Sequence, residues 1–548
     1  MITVLDGKPT GATISLETSI SMEQGRELPG PPPGVCSSLR HREKRLGVPR
    51  HGRQGEGGRT MGELASAVLG GESRMWIGGQ WVEAVSGEFV DVTDPATGEV
   101  VGRVPKGGGK DAARAIDAAS SAFPGWSRST GAERAEVLKR WAEAIRKHRE
   151  EISEILTREQ GKPLAESLEE ADGAADFVEW YAEEAKRIYG ETLPGSRGNQ
   201  RILVIRQPVG VAALITPWNY PATMVTRKMA AALAAGCTVV LKPASQTPLT
   251  AVALLKLLEE AGLPPGAANL VTGEAGAIGR EVMADPRVRK VSFTGSTETG
   301  KVLIRASADR VKRLSMELGG NAPLIVFPDA ELERAVEATL GNKFENAGQM
   351  CNGINVLYVH ESIVDRFSER LVSSVERLRV GRGTEPGVRM GPLIDERNLR
   401  KVESFVEDAV RKGARVLTGG SRLTGESHRS GTFFAPTVIG GVTPAMRLVH
   451  EEIFGPVAPV VTFREEGEVM ERVNATPYGL AAYVFTRDVG RVFRMAENLE
   501  FGMVAVNGTS LSVPQAPFGG IKESGQGREG GRHGMEEFLH LKYISLNL

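Results

Sequence analysis

The sequence has 548 residues, 41% hydrophobic and 25% charged, so it is long enough for two or three domains with a sizeable buried core. Lysine and arginine total 67 against 68 acidic residues, which excludes a net field that would attract nucleic acid or an anionic membrane. No apolar run is long enough to cross a bilayer, and no signal sequence opens the chain. We therefore expect a cytoplasmic protein without nucleic-acid or membrane partners.

Cysteine and histidine usage argues against disulfides and metals. The three cysteines, Cys36, Cys237 and Cys351, cannot build a disulfide framework, and no CxxC pair is present to hold zinc. The eight histidines are scattered without metal-type spacing. We predict a reducing compartment and no metal.

Residues 1–72 differ in composition from the rest of the chain. A proline cluster from Pro29 to Gly34 is followed by a basic run whose later part is rich in glycine. Such a segment cannot bury enough apolar surface to order itself. Three interpretations stay open, in this order: a disordered tail, a start assigned too far upstream with Met61 or Met75 as the true start, and a basic targeting presequence.

From Met75 the pattern becomes that of a folded chain. Apolar and polar residues first alternate between turn residues, which predicts short antiparallel strands. Apolar residues then recur at threes and fours, which predicts two amphipathic helices between Glu133 and Arg158 and another from Leu164 to Arg187. Residues 198–208 form a strand-like run that has to pair with another strand.

An alternation of strands and helices defines the fold class, which we predict to be α/β. Four buried-strand runs, each followed by a helical segment, predict a parallel sheet that binds a dinucleotide at the carboxyl ends of its strands; they are residues 209–215, 237–243, 269–273 and 290–295. A second α/β domain follows, with strands at 322–327 and 354–360, a helix to Gln349 and a helix from Ile363 to about Val380. The C-terminal HLKYISLNL is again strand-like.

Three motifs follow the first strands, where ligands lie in such folds. TPWNYP contains Trp218 and Asn219, and an asparagine amide can donate to a developing oxyanion. LKPASQTP places Lys242 and Ser245 where ribose hydroxyls or a phosphate could be held. FTGSTETG puts glycines and a Ser-Thr pair at a helix N-terminus, which suits a pyrophosphate, although it lacks the GxGxxG pattern.

Three further motifs lie in the second half. KFENAGQMC ends on Cys351 at a turn, where an exposed thiol can act as a nucleophile. MELGGNAP offers Glu317 beside two glycines, and EEIFGPV offers Glu452 and Phe454. For each of these residues taken singly, a structural role is the more frequent one.

Taken together and in order, these motifs resemble the aldehyde dehydrogenase superfamily, and among its members most closely the succinate-semialdehyde dehydrogenases. With PFGGIKESG, from Pro517 to Gly525, the resemblance covers nearly the whole chain after Met75. It implies a Rossmann-like cofactor domain, a second α/β catalytic domain and a small β oligomerisation arm. The boundaries that we expect are 73–193 with 209–317 for the cofactor domain, 318–525 for the catalytic domain, and 194–208 with 526–548 for the arm.

The resemblance implies a catalytic trio. Cys351 is the nucleophile, Glu317 is the general base, and Asn219 forms the oxyanion hole with the backbone N–H of Cys351. The thiolate adds to the aldehyde carbon, hydride passes to the nicotinamide, and Glu317 activates the water that hydrolyses the thioester. A base that activates water argues against transfer of the acyl group to coenzyme A. A CoA-acylating variant nevertheless stays open as an alternative.

The resemblance also implies the cofactor contacts. Lys242 and Ser245 contact the adenosine ribose, while Gly295 and Ser296 contact the pyrophosphate. At the other end of the cofactor, Glu452 binds the nicotinamide ribose, Phe454 packs on the nicotinamide ring and Trp218 lines the passage. Many NAD-preferring relatives carry glutamate at the position of Ser245, where it repels a 2′-phosphate, so we predict that NADP is accepted without excluding NAD.

The substrate is where the sequence departs from the resemblance. In succinate-semialdehyde enzymes two arginines and a serine hold the distal carboxylate, and Arg227 and Ser512 match two of these positions. The third is Glu345, which would repel a carboxylate about 4 Å away by about 4 kcal/mol at an effective dielectric near 20. Glu345 could instead pair with Arg227 or face outward. Succinate semialdehyde is the first expectation, and a neutral or hydroxylated aldehyde is the alternative.

Three more expectations follow from the resemblance. The strands of the arm imply a homodimer or homotetramer, with unpaired strand edges as the physical reason. Gly353 stands where some members carry a second cysteine, so no disulfide switch of that type is expected, and Cys237 is expected to be a buried structural thiol. A catalytically silent homologue is the competing interpretation, although Cys351, Glu317 and Asn219 are all present.

Overall fold

The computed structural model describes residues 62–548 and shows an α/β fold with two large sheets. The expectations for residues 1–61 lie outside the described residues, whereas residues 62–72 of the segment that we expected not to order itself contain the helix Glu63–Ser66 and bury Leu64 and Leu69. The strands, in chain order, are β1 Met75–Ile77, β2 Gln80–Val82, β3 Phe89–Thr93, β4 Val100–Pro105, β5 Glu191–Pro194, β6 Gln200–Pro208, β7 Val211–Ile215, β8 Thr238–Lys242, β9 Ala268–Leu270, β10 Val288–Thr294, β11 Arg313–Glu317, β12 Ala322–Val326, β13 Ile354–His360, β14 Arg415–Thr418, β15 Thr437–Gly440, β16 Val457–Phe463, β17 Ala481–Phe485, β18 Met503–Val506, β19 Gly525–Gln526 and β20 Leu539–Asn547.

Helices cover both large sheets. They are α1 Glu63–Ser66, α2 Gly109–Trp126, α3 Gly131–Lys147, α4 Arg149–Gln160, α5 Leu164–Glu184, α6 Pro221–Ala235, α7 Leu249–Glu260, α8 Ala275–Ala284, α9 Thr297–Ser307, α10 Leu332–Lys343, α11 Val364–Val375, α12 Glu396–Arg411, α13 Arg447–His450, α14 Glu466–Asn474, α15 Val489–Asn498 and α16 Gly531–Glu536. Short 3₁₀ turns lie at Ala185–Arg187, Ala308–Arg310, Glu345–Gly348 and Lys522–Ser524.

The first large sheet has eight strands in the order β19-β11-β10-β7-β8-β9-β1-β2. Its five inner strands, from β11 to β9, run parallel, whereas β1, β2 and β19 are antiparallel additions at the edges. The chain runs from β7 outward to β8 and β9 and then returns to the other side of β7 as β10. The carboxyl ends of β7 and β10 therefore flank a topological switch point, where ligands bind in open α/β sheets.

The second large sheet has seven strands in the order β14-β15-β16-β13-β12-β17-β18. Six of them run parallel, and β14 pairs antiparallel with β15. Cys351 lies three residues before β13, so this sheet positions the thiol from the amino end of a central strand. The sheet order confirms the expectation of a second α/β unit.

A three-stranded antiparallel sheet, β20-β6-β5, forms an arm, and β3 and β4 form a separate hairpin. Strands β6 and β20 pair along their full length, from Leu539 opposite Pro208 to Asn547 opposite Gln200. The arm therefore joins segments more than 300 residues apart. In the boundaries expected from the resemblance, β5 and β19 fall across the divisions, because β5 begins at Glu191 and β19 belongs to the eight-stranded sheet.

Helix α6 lies at the centre of the cofactor half, and all of its residues are buried. It packs against α3 and α5 and follows directly from β7, so the turn at residues 216–220 is fixed by buried elements on both sides. Proline at the first position of α6 suits a helix start, because its fixed φ is helical and its missing N–H is not needed there. This rigid turn carries Trp218 and Asn219.

Candidate active site

A cleft of about 670 Å³ opens between the two large sheets, at the carboxyl ends of β7, β10 and β11. Most of the residues that the sequence singled out lie on its walls. They are Trp218, Asn219, Gly295, Ser296, Glu317, Cys351, Glu452 and Phe454.

Cys351 is partly buried in the wall of this cleft. Burial, followed by the negative charge of the neighbouring Glu317, raises the pKa of its thiol well above the ordinary value, while Arg227 acts in the opposite direction. The thiol is therefore protonated at neutral pH, and a base has to take its proton before it can act as a nucleophile.

The loop before Cys351 has an unusual backbone. Asn346 and Ala347 adopt left-handed conformations with φ of 47° and 54°, which non-glycine residues seldom do. At Gly348, with φ of 72°, a side chain would collide with the carbonyl oxygen of Gly455. Such strain persists only where surrounding contacts fix it, and it is frequent at functional sites.

Glu317 is the last residue of β11 and is buried beside Cys351, on a strand end rather than on the tight loop that its glycine neighbours suggested. Its carboxylate faces the Cys351 thiol, and no other described residue donates a hydrogen bond to either oxygen. Burial, followed by the charge of Glu529, raises its pKa. A buried carboxyl group with free oxygens and a raised pKa suits a general base.

Asn219 is held so that its amide reaches the nucleophile loop. Its Nδ2 donates to the carbonyl oxygen of Gln349 at 2.9 Å, two residues before Cys351. The Asn219 side chain is buried, and it lines the same cleft as Cys351 and Glu317. The three candidate catalytic residues therefore share one wall of one cleft.

The nicotinamide side of the cleft carries two predicted contacts. One carboxylate oxygen of Glu452 accepts a hydrogen bond from the Gly320 N–H at 2.9 Å, and burial raises the pKa of Glu452 to about 7. Phe454 has a left-handed backbone with φ of 54°, and its ring meets Trp218 edge to face at 5.4 Å between centroids. These two rings form an apolar wall beside Glu452.

Lys242 and Ser245 lie together after β8, apart from the walls of the cleft. The Lys242 ammonium donates to the carbonyl oxygen of Pro243 at 2.7 Å and to Ser245 Oγ at 3.3 Å. Burial lowers the pKa of Lys242 to about 8, and no carboxylate among the described residues pairs with it. An unpaired buried ammonium beside a hydroxyl fits a ribose diol or a phosphate of a dinucleotide.

The pyrophosphate position expected at Gly295 and Ser296 coincides with the start of α9. Ser296 is the N-cap of this helix, and its hydroxyl accepts a hydrogen bond from the Thr299 N–H at 3.3 Å. A side chain at Gly295 would collide with the ring of Phe293. The start of a helix with free backbone N–H groups suits an anion.

The three residues expected around the substrate make no hydrogen bond or ion pair with one another. Arg227 is buried, its Nε lies 2.7 Å from Glu529 Oε2, and its guanidinium stacks on the Phe518 ring at 4.5 Å. Glu345 accepts a hydrogen bond from the Tyr220 hydroxyl at 2.7 Å, so its possible pairing with Arg227 is wrong. Ser512 is exposed and makes no hydrogen bond to the described residues.

The sequence model of the aldehyde dehydrogenase family matches residues 81–544. The chain belongs to the aldehyde dehydrogenase family. It is an oxidoreductase that acts on an aldehyde with a nicotinamide dinucleotide as cofactor.

Curated members of the family are about half identical to this chain. The NADP-dependent succinate-semialdehyde dehydrogenase of Escherichia coli is 51% identical over 86% of this chain and 97% of its own. The 3-sulfolactaldehyde dehydrogenase of Pseudomonas putida is 51% identical over 87% and 97%. A glutarate-semialdehyde dehydrogenase of Pseudomonas putida is 49% identical over 86% and 97%.

Solved structures of the family have the same fold. An NADP-dependent enzyme of E. coli superposes with a TM-score of 0.86 at 49% identity, covering 88% of this chain and 99% of its own. The betaine aldehyde dehydrogenase of Staphylococcus aureus in complex with NAD⁺ gives 0.86 at 38% identity, covering 88% and 96%. These matches confirm the aldehyde dehydrogenase fold that the motifs implied.

Several residues around the site gave no signal in the sequence. They are isolated polar residues in helical or glycine-rich segments: Glu529, which pairs with Arg227; Lys162, which contacts Asn219; and Gln160 and Glu170, which contact Asn346 and Lys162. Their importance depends on contacts between distant parts of the chain. Cys237 is fully buried, as expected, with its thiol 3.3 Å from the Phe538 carbonyl oxygen.

Neither a metal-binding cluster nor a membrane-spanning helix is present in the described residues. No group of His, Cys, Asp or Glu side chains in residues 62–548 is arranged to hold a metal ion. Within the same part of the chain, no helix is both long and apolar enough to cross a membrane.

Proposed function

We propose that Cys351, Glu317 and Asn219 are the nucleophile, general base and oxyanion donor of this aldehyde dehydrogenase. The observation that supports this most strongly is the free, buried carboxylate of Glu317 beside the protonated thiol of Cys351 in the cleft. Burying a carboxyl group without hydrogen bonds costs stability. A role in proton transfer accounts for that cost.

In the first step, the Cys351 thiol releases its proton to water in the cleft and the sulfur forms a bond to the aldehyde carbon. The carbonyl π electrons move onto oxygen, and the Asn219 amide and a backbone N–H stabilise the resulting alkoxide. A donor of this kind lowers the activation barrier by about 3 kcal/mol. The product of the step is a thiohemiacetal on Cys351.

A bound dinucleotide would supply the acceptor for the hydride on the thiohemiacetal carbon. Glu452 and the Trp218–Phe454 wall would orient its nicotinamide end, and Gly295 and Ser296 would hold its pyrophosphate. The loss of hydride leaves a thioester on Cys351. Glu317 then takes a proton from water, the hydroxide oxygen bonds to the acyl carbon, and the thiolate leaves as the carboxylic acid is released.

We propose that NADP is used, with NAD also accepted. Support comes from Lys242, a buried cation without an acidic partner in the described residues, and from Ser245, which places no negative charge beside the ribose 2′-position. The E. coli relative named above is NADP-dependent, whereas the S. aureus structure contains NAD⁺. Cofactor preference in this chain therefore depends on few groups.

We propose succinate semialdehyde as the first substrate to test. The substrates in the relatives' names, succinate semialdehyde, glutarate semialdehyde and 3-sulfolactaldehyde, each carry an anionic group. Arg227 is a cation close enough to influence Cys351, and it could hold such a group.

A neutral or hydroxylated aldehyde is the second candidate, and two observations favour it. Part of the charge of Arg227 is already balanced by Glu529 at 2.7 Å, a carboxylate that it shares with Lys228. In addition, Glu345 places a carboxyl group on the Tyr220 hydroxyl, which also contacts Met350 next to the nucleophile.

We also propose that the arm joins subunits into a homodimer or homotetramer, in the cytoplasm. Leu541 and Tyr543 on β20 are 63% and 61% exposed, and both outer strands of the arm have an unpaired edge within the described residues. Exposed apolar side chains beside free strand edges are typical of a surface that is covered by another chain.

The experiment that tests the proposed reaction is the initial rate of reduced-nicotinamide formation with a panel of aldehydes. The panel contains succinate semialdehyde, butanal and a hydroxylated aldehyde, each with NAD and with NADP, and Cys351→Ala as the control. Activity that depends on Cys351 supports the proposal. Equal rates in the variant would overturn it, and a thioester product in the presence of coenzyme A would contradict the role given to Glu317.

A further inference from the structure

The short segment between α4 and α5, residues 160–162, contacts both parts of the proposed catalytic machinery. Gln160 and Lys162 are 0% and 1% exposed, although they are polar and charged. Lysine is rarely buried to this degree unless it is paired. The contacts of these two side chains show what the segment does.

The Lys162 ammonium has three partners. It donates to Glu170 Oε2 at 2.6 Å and to the main-chain carbonyl oxygen of Asn219 at 2.8 Å, and it lies over the Tyr220 ring at 3.6 Å. An ammonium has three N–H groups, so its bonding capacity is used. Two of the three partners belong to the turn that carries the proposed oxyanion donor.

Glu170, the partner of Lys162, also contacts the start of helix α6. Its second oxygen accepts hydrogen bonds from the backbone N–H groups of Ala222 at 2.8 Å and Thr223 at 3.3 Å. Tyr220, the N-cap residue, supplies no side-chain cap, so a carboxylate from α5 satisfies the first N–H groups of the helix. The buried Lys162–Glu170 pair therefore fixes the start of α6 and the turn before it.

Gln160 makes the equivalent contact with the nucleophile loop. Its Nε2 donates to Asn346 Oδ1 at 2.8 Å, while Asn346 Nδ2 donates to the carbonyl oxygen of Asn219 at 2.9 Å. The Asn219 carbonyl oxygen thus has two donors, Lys162 from one side and Asn346 from the other. Segment 160–162 connects the turn of Asn219 with the loop that leads to Cys351.

We infer that Lys162 is a positioning residue for aldehyde oxidation, acting through the main chain of Asn219 to hold its side-chain amide at the oxyanion. The inference rests on the proposed oxyanion role of Asn219. A donor stabilises developing charge only when it is already oriented, and a displacement of about 1 Å can cost about 100-fold in rate. Lys162 holds the carbonyl of the same residue whose amide acts on the substrate.

A double-mutant cycle between Lys162→Met and Asn219→Ala tests this inference. We expect Lys162→Met to lower kcat/KM for the best aldehyde by about 10- to 100-fold, part of the 100- to 1,000-fold lost with a whole oxyanion donor. In the Asn219→Ala background the same substitution should lower it by less than about threefold, because residues that act as one unit are not additive. The KM for the nicotinamide cofactor should not change.

Two further variants keep the test decisive. Lys162→Met leaves Glu170 without its cation, so the charge-balanced K162M/E170Q is measured beside it and replaces it in the cycle if the single variant does not fold. Lys162→Arg retains a donor and should recover part of the rate. The matched control is Lys290→Met, which removes a buried lysine that is paired with Glu537 at 3.0 Å and lies over the Phe538 ring.

The outcomes separate the inference from the proposed function. Equal losses on removing Lys162 in both backgrounds would overturn the positioning role and leave the oxyanion role standing. A comparable loss of kcat/KM in Lys290→Met would also overturn it, because removal of any buried lysine would then have the same effect on the rate. If Asn219→Ala alone leaves kcat/KM unchanged, the oxyanion role itself fails.

Discussion

Substitution of Glu317 by glutamine separates the two halves of the reaction. Glutamine has nearly the same shape, and apart from the Cys351 thiol no described residue donates a hydrogen bond to Glu317, so the fold loses little contact. A general base contributes about 100- to 10,000-fold to the rate, equivalent to about 3 to 5 kcal/mol of activation free energy. We expect steady-state turnover to fall by this factor, because hydrolysis of the thioester on Cys351 becomes slow.

The assay is rapid mixing with aldehyde and NADP at an enzyme concentration that makes one turnover visible. Thioester hydrolysis becomes rate-limiting in Glu317→Gln, so we expect a burst of reduced nicotinamide no larger than the concentration of Cys351, followed by the slow steady rate. A steady rate without a burst would place Glu317 in the first step alone. A wild-type steady rate would refute the reasoning.

The same substitution has a predicted effect on stability. The folded state raises the pKa of Glu317, so the unfolded chain releases this proton at lower pH, and native stability falls as pH rises from the unfolded pKa toward the folded one. Glu317→Gln removes this penalty, so its Tm at pH 8 should equal or exceed that of the wild type. Glu159→Gln is the matched control for the burst: Glu159 is a buried carboxyl group that accepts hydrogen bonds from the Leu249 and Thr250 N–H groups, so its substitution should produce no burst.

Three other predictions concern cofactor, substrate and assembly. Ser245→Glu adds a carboxylate beside the ribose position, so the ratio of kcat/KM for NADP to that for NAD should fall by at least about tenfold; an unchanged ratio would remove Ser245 from cofactor selection. Glu345→Gln keeps an acceptor for Tyr220 but removes the charge, so preference for succinate semialdehyde over butanal should rise by about tenfold; no change would mean that Glu345 lies away from the substrate. Leu541→Glu with Tyr543→Glu places charges on the exposed face of β20 and should lower the mass measured by light scattering, whereas an unaltered mass would show that the arm is not an interface.

Much of the fold could be predicted because its central strands have a simple pattern. Strands β7 and β8 are buried on both faces by helices, so they form nearly continuous apolar runs bounded by glycine and proline. Strand β11 was missed, since its residues Arg313–Glu317 alternate polar and apolar side chains at an edge covered only by the two residues of β19. The boundary of β9 was also imprecise, because its pairing ends at Leu270.

Site residues could be predicted where they lie within a sequence motif. Asn219, Ser296 and Glu317 lie at the carboxyl ends of neighbouring strands of the first sheet, so topology alone brings them to one cleft, and Cys351 reaches the same cleft from the second sheet. Contacts between distant segments could not be predicted from local patterns.

Arg227 illustrates such a contact. It binds Glu529, about 300 residues later in the chain, and a single glutamate in a glycine-rich segment carries no mark of that role. Glu345 could not be placed for the same reason: its direction depends on the left-handed turn at Asn346 and Ala347.

The measurement that tests the central claim most directly is mass spectrometry of the enzyme quenched with acid during turnover. With succinate semialdehyde and NADP present, we predict that the peptide containing Cys351 gains the mass of the acyl group, that this adduct is largest in Glu317→Gln, and that it is absent without cofactor. The peptide containing the buried Cys237 should remain unmodified. Turnover without any adduct on Cys351, or an adduct that forms on another residue, would contradict the account.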